Sequence, residues 1–290
     1  MAVVEGVMMR CAGRWAVAVR NAEGGITVEE GAVPRWPAQL RSVPFVRGVV
    51  GLAESLTIGV RAMVWSTAQA TGSHPRRPVS VGGTIALALL LVASVFFVLP
   101  ATVARAVAAD HGSVAFTAIE ATLRLSLFLA YLWGISRIAE VRRLFGYHGA
   151  EHMAVSAFEA GVPLDVASAR PYGTRHVRCG TTFMLVVMVL AVGVHAFVGS
   201  ATWSVLVASR VVTLPVVAAV AYEMLAFADR HRASAFMRAV LVPGLALQAM
   251  TTRPPDDDQL EVAFVAIRAV AWKMADAPAG AGASMEVLPL

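Results

Sequence analysis

No charged side chain occurs in the 27 positions between Arg77 and Arg105, nor in the 31 between Arg178 and Arg210. A bilayer core of about 30 Å is crossed by about 20 apolar residues in a helix, so each stretch is long enough to span by itself. Two further segments are less pure. Phe116 to Ser136 is interrupted by Glu120 and Arg124, which at i,i+4 share one helix face and can neutralise each other inside a bundle. Val211 to Ala228 is apolar apart from Glu223. A water-soluble alternative would need four nearly uncharged helices covered on every side, which a chain of 290 residues cannot supply. The composition agrees, with 58% hydrophobic and 15% charged residues and a mean hydropathy of +0.68. The expected fold class is therefore mainly α: a polytopic membrane protein with four transmembrane helices.

Arginine placement predicts the orientation. Nine arginines precede the first span, six fall from Arg137 to Arg178, and most of the rest follow Ala228, whereas the other two loops carry little beyond Arg105 and Arg210. By the positive-inside rule both termini and the loop 137–180 face the cytoplasm, as expected of a multi-pass protein of an inner (plasma) membrane. The net charge of +5 is then explained by the bilayer as partner, with anionic headgroups as counter-charge, and calls for no nucleic acid. A homo-oligomer is compatible with the sequence. Cys11 and Cys179 both fall on the predicted cytoplasmic side, so no disulfide is expected. Met1 to Arg10 lacks the charged region, apolar core and cleavage site of a signal peptide, and none is expected.

Five regions are expected along the chain. Residues 1–36 read as a cytoplasmic β-hairpin module: Arg14–Arg20 and Ile26–Glu30 are β-like runs around Asn21-Ala-Glu-Gly-Gly25, with Val7–Cys11 as a third strand. Residues 37–78 form a connector and an interfacial amphipathic helix from Phe45 to Thr67, on which Arg47, Glu54 and Arg61 recur every seven positions as one charged stripe. Residues 79–250 hold the four-helix membrane domain, ending in an apolar stretch from Phe236 to Met250. Residues 251–276 give a cytoplasmic helix capped by Asp258 with Glu261 as capping-box partner. The tail 277–290, rich in Ala, Gly and Pro, is expected to be disordered.

Chemistry concentrates near one predicted surface. Tyr147-His-Gly-Ala-Glu-His152 has the His-x-x-Glu-His order in which two helical histidines, here His148 and His152, bind a divalent metal such as zinc while the neighbouring Glu151 polarises bound water. Glu223 lies five residues before the end of the fourth span, about 8 Å below the same surface, and is the leading third ligand. His176 and Cys179 are the alternative ligands. Glu159 falls on the stripe of His148 and His152 and could orient a ligand histidine, with Arg178 beside it. His195 reads as a satisfied bundle residue.

At these residues the chain resembles the YqhQ-like family of bacterial membrane proteins, a family of unknown function. Glu5-Gly-Val-Met-Met-Arg10, Tyr147–His152, His176-Val-Arg-Cys-Gly-Thr181, Tyr222-Glu223 and Pro255–Ala263 all stand in the family's order. The resemblance implies a metal-dependent enzyme, a description that looks to rest on the same His and Glu residues. Met153 stands where the family usually has Lys, and Val177 where it has Pro; neither change removes a candidate ligand. The expected function is a metal-dependent membrane hydrolase with its site at the cytoplasmic face. The rival reading is a non-enzymatic membrane scaffold or regulatory protein with a structural metal or polar network.

Overall fold

The computed structural model describes residues 1–11, 13–33, 40, 42–73, 81–108, 114–197, 202–231 and 233–271. The expected disordered tail, 277–290, and most of the Pro-rich connectors lie outside these. Four strands open the chain: β1 (Ala2–Val3), β2 (Gly6–Cys11), β3 (Arg14–Arg20) and β4 (Ile26–Ala32) form an antiparallel meander in sequence order. Met8 pairs with Val17 and Val17 with Glu29. The β3–β4 turn closes as its residues dictate. Asn21 Oδ1 accepts from the Glu23 and Gly25 amides at 3.1 and 2.9 Å, and Gly24 takes a φ of 87° that a side chain would oppose.

Helices cover the sheet on both faces. Val7, Met9, Cys11, Ala16 and Ala18 pack on α5 (Ala139–Glu159) and α11 (Asp257–Ala271). Val3, Met8, Trp15, Val17 and Val19, on the opposite face, pack on Ile58 and Ala62 of α1 (Val46–Thr71). Two buried faces explain why β2 and β3 are almost wholly apolar rather than alternating. α11 begins with a capping box at Asp256 and Gln259, two residues earlier than the expected Asp258 and Glu261. Asp256 accepts from the Gln259 amide at 2.8 Å and Gln259 reaches back to the Asp256 amide at 3.2 Å, whereas Glu261 bonds Arg20.

The second body is a helical bundle. α2 (Val81–Ala93) passes through a π-helical segment, Ser94–Val98, into α3 (Leu99–Val107). α4 (Val114–Ile135), α7 (Gly180–Ala196), α8 (Trp203–Val212), α9 (Leu214–Arg230) and α10 (Ala235–Thr251) complete it, and the short α6 (Val166–Ala169) precedes α7. α7 packs against α4, α9 and α10, around a core containing Phe96, Phe128, Phe183, Met188 and Leu225. The outward side is also apolar. Leu87, Leu91, Val189, Val216 and Phe236 are all more than half exposed, the inverse of a water-facing surface.

Among the described residues, four helices are long and apolar enough to cross a membrane, but the set differs from the expected one. They are Val46–Thr71, Gly82–Val107, Val114–Ile135 and Trp203–Arg230. The uncharged run 179–209 does not form one helix: α7 ends at Ala196 after 17 residues, and a new helix starts at Trp203. Arg210, expected in an outer loop, is consequently inside the bundle and 1% exposed. The single charged stripe of an interfacial helix expected on α1 is corrected as well. Glu54 is buried against Arg10, Arg47 is engaged by Glu223, and only Arg61 of the three is exposed.

Candidate metal centre

α5 carries the His-x-x-Glu-His motif on a helix buried along most of its C-terminal half. One turn separates His148 from His152, so both rings leave the same face, with centroids 4.5 Å apart. Each ring is anchored by a backbone carbonyl. His148 Nδ1 donates to Thr251 O at 2.8 Å and His152 Nδ1 to Thr174 O at 2.7 Å. A proton fixed on Nδ1 leaves Nε2 as the free lone pair, the usual outer bond of a metal-ligating histidine. Gly149 makes the first anchor reachable, because a Cβ there would stand 2.0 Å from the carbonyl oxygen of Arg253.

Cys179, immediately before α7, supplies the third group. Its Sγ lies 3.3 Å from His148 Nε2 and 3.1 Å from Thr181 Oγ1. One donor atom from each of His148, His152 and Cys179 falls within a group no wider than 4.8 Å. Zinc at its normal bond lengths and tetrahedral angle would hold a nitrogen and a sulfur about 3.5 Å apart, so this donor set fits such an ion. Electrostatics agree. Burial would raise the Cys179 thiol, but the imidazoles of His148 and His152 outweigh it and hold the thiol well below its ordinary value. Burial would lower His148, yet Cys179, Glu151 and the Thr251 carbonyl raise it. The site thus favours thiolate, the form that binds metal.

Glu151 stands between the two histidines in sequence and is 8% exposed. One carboxylate oxygen pairs with the Met1 ammonium; the other, Oε2, is buried without a hydrogen-bond partner among the described residues. Burial pushes this carboxyl up, but the Met1 ammonium and both imidazoles outweigh burial and lower it, so it is ionised at neutral pH. All four side chains line a cavity of about 490 Å³. Its remaining wall is mostly apolar, with Met8 and Met9 of β2, Ile58 and Met63 of α1 and Met184 of α7, plus Arg10 and Arg178, whose guanidiniums pair with Glu54 and with Glu159 and Asp229.

The other expected site residues go elsewhere. Glu223 is not part of the histidine group. It accepts from Arg47 Nε at 2.7 Å and from the Phe45 amide at 3.1 Å, a bidentate pair joining α9 to α1. His176 is near, with its ring 5.8 Å from that of His152, but its Nε2 faces Glu159 at 3.7 Å. Glu159 also pairs with Arg178 rather than orienting a ligand histidine; the carbonyls of Thr251 and Thr174 do that instead. Those carbonyls have no side-chain signature, and Gly149 is the one residue whose identity hints at them.

Among the described residues, these features define a mainly helical protein with four membrane-length apolar helices, a small N-terminal sheet and a candidate His–His–Cys centre. The chain belongs to the family described as "Protein of unknown function (DUF1385)", whose profile matches residues 43–273. It is 28% identical over 282 residues to the "Uncharacterized protein YqhQ" of Bacillus subtilis (strain 168), an alignment covering 91% of this chain and 88% of that one. The resemblance read from the five motif blocks therefore holds at the level of the family. No solved structure matches the chain significantly.

Proposed function

We propose that this protein is a membrane-embedded, metal-dependent hydrolase in which His148, His152 and Cys179 hold a zinc-like ion and Glu151 serves as general base. The supporting observation is the pair of imidazoles whose Nδ1 atoms are both tied to carbonyls while a depressed thiol faces them. Three protein ligands leave a fourth position open, as catalytic zinc sites do. A bound ion would supply Lewis acidity and lower the pKa of a coordinated water. The chain's own groups do the rest. Glu151 is ionised and lines the cavity, and its Oε2 has no hydrogen-bond partner among the described residues, so the carboxylate can accept a proton from an attacking water and pass it to the leaving group. The apolar wall suits an acyl or other hydrophobic portion of the substrate.

The bundle sits in the bacterial inner membrane under this reading, with the metal centre at the cytoplasmic face and α1 lying at or across the membrane boundary. The exposed apolar surface and the arginine asymmetry support it. Purified zinc-loaded protein, assayed against lipid esters, phosphoesters and peptides, should show turnover that a chelator removes and zinc restores. Glu151→Gln should keep the metal and lose the turnover. A scaffold reading is favoured by one observation: α5, which carries both histidines, packs on the sheet, whereas Cys179 leads into the bundle, so a metal there would pin the two bodies together. Activity lost with Glu151 but metal and stability retained would exclude a purely structural role.

A further inference from the structure

The bundle encloses a second polar group that the metal chemistry does not use. Glu120 and Arg124 on α4, His195 on α7 and Arg210 on α8 are each at most 4% exposed. Glu120 receives both guanidiniums: Arg124 by an i,i+4 pair, and Arg210 through Nε at 3.1 Å and Nη2. Arg124 Nε donates to Phe96 O at 3.1 Å, a carbonyl inside the π-helical segment. The Thr213 hydroxyl donates to Ser209 O at 2.6 Å, so it accepts from His195 Nε2 at 2.9 Å. The imidazole then presents its lone pair, on Nδ1, to Arg124 Nη2 at 3.4 Å. Among the described residues, two guanidiniums, one carboxylate and one neutral imidazole leave one positive charge in excess.

That excess has an address. Arg124 Nη1 is buried and has no hydrogen-bond partner among the described residues. Arg124 also lines a groove of about 250 Å³ between α4 and α7, walled otherwise by Ala121, Thr122, Leu125, Met188, Val189 and Val192. Leu125 and Val189 face outward, at 39% and 58% exposure, so the groove opens on the apolar flank of the bundle. An uncompensated cation in such surroundings is costly by several kcal/mol, and an anion seated on the free N–H would relieve it.

We propose that this groove binds one long-chain fatty acid, its carboxylate on Arg124 Nη1 and its tail along α4 and α7. A carboxylate brings one negative charge, equal to the excess, and accepts from a guanidinium in plane. The apolar, outward walls require an occupant that arrives with an apolar tail. A phosphodiester lipid carries the same charge but keeps it near the bilayer surface, whereas Arg124 lies ten residues into α4, about 15 Å from its first residue. The inference rests on the bundle being in a bilayer and is independent of the metal centre.

The test uses the full chain in nanodiscs and radiolabelled palmitate. Saturable binding near one palmitate per chain is expected. Arg124→Met, which leaves Glu120 and Arg210 as a neutral pair, should weaken it at least tenfold. Val189→Trp, which fills the groove and leaves the charges in place, should do the same and decides the matter if the first variant does not fold. Absence of saturable binding, or binding unchanged in a folded variant of either kind, would overturn the proposal. So would displacement of palmitate by an equal concentration of chloride or of phosphatidylglycerol, which would make this a small-anion or phospholipid site. Failure of the membrane reading is separable, because the protein would then appear in the soluble fraction after membranes are sedimented.

Discussion

Replacing Gly149 by Ala places a methyl group 2.0 Å from the carbonyl oxygen of Arg253 and 3.2 Å from Thr174 Cγ2. Ordinary contact begins at about 3.5 Å, so the 251–253 backbone must retreat by roughly 1.5 Å. That segment carries the Thr251 carbonyl on His148 and the Arg253 amide on Phe145 O at 2.9 Å, and both bonds would open. Losing the outer bond of a ligand histidine lowers metal affinity by about 10- to 100-fold, which is about 1.4–2.8 kcal/mol. Overpacking alone lowers fold stability by about 1–3 kcal/mol. The two effects separate experimentally: competition with a chromogenic chelator gives zinc affinity, and thermal melting followed by circular dichroism gives stability. A folded Gly149→Ala protein that binds zinc as tightly as wild type would refute the reasoning that the Thr251 carbonyl prepares His148 for metal.

Further outcomes follow from the same geometry. Glu223→Gln should leave zinc content unchanged while lowering stability, since it weakens the α9–α1 pair with Arg47; loss of zinc would restore Glu223 as a ligand. Because the Glu151 carboxyl is lowered below its ordinary 4.5, its ionisation stabilises the metal-free fold above that pH. That contribution is lost as pH falls through the lowered folded-state value, so denaturant titrations should show an acid limb that Glu151→Gln flattens. An equal limb in the variant would show that Glu151 does not carry it. Arg142→Cys and Asp110→Cys should respectively resist and accept an impermeant thiol reagent in intact cells, and the reverse pattern would invert the proposed topology.

What the sequence made legible is what leaves a mark in charge or period. The charge-free runs marked the bundle, and the β-like runs around Asn21–Gly25 marked three of the four strands. The His-x-x-Glu-His order marked one face of α5. Cys179 was only an alternative ligand, because a small thiol beside an apolar helix looks like any buried hydrophobe. Glu223 drew attention as a carboxylate within an apolar segment, but its partner is Arg47, 176 positions earlier, and pairing at that separation has no local signal. Arg210 was misplaced for a related reason. The run before it was read as one span from its lack of charge, although Gly199-Ser200 falls within it; one helix ends at Ala196 and the next starts at Trp203, so an inward arginine looked like a loop arginine. The carbonyls that fix the two histidines belong to the backbone, which every residue shares.

The central claim is that His148, His152 and Cys179 hold one ion together. Elemental analysis of the full chain, purified without chelators, tests it directly. The wild type should carry about one equivalent of zinc or a similar ion, as a three-ligand site with an open fourth position would. His152→Ala and Cys179→Ala should each lose most of it, while His176→Ala keeps it. Wild-type protein that is metal-free, or either ligand variant retaining a full equivalent, would contradict the account.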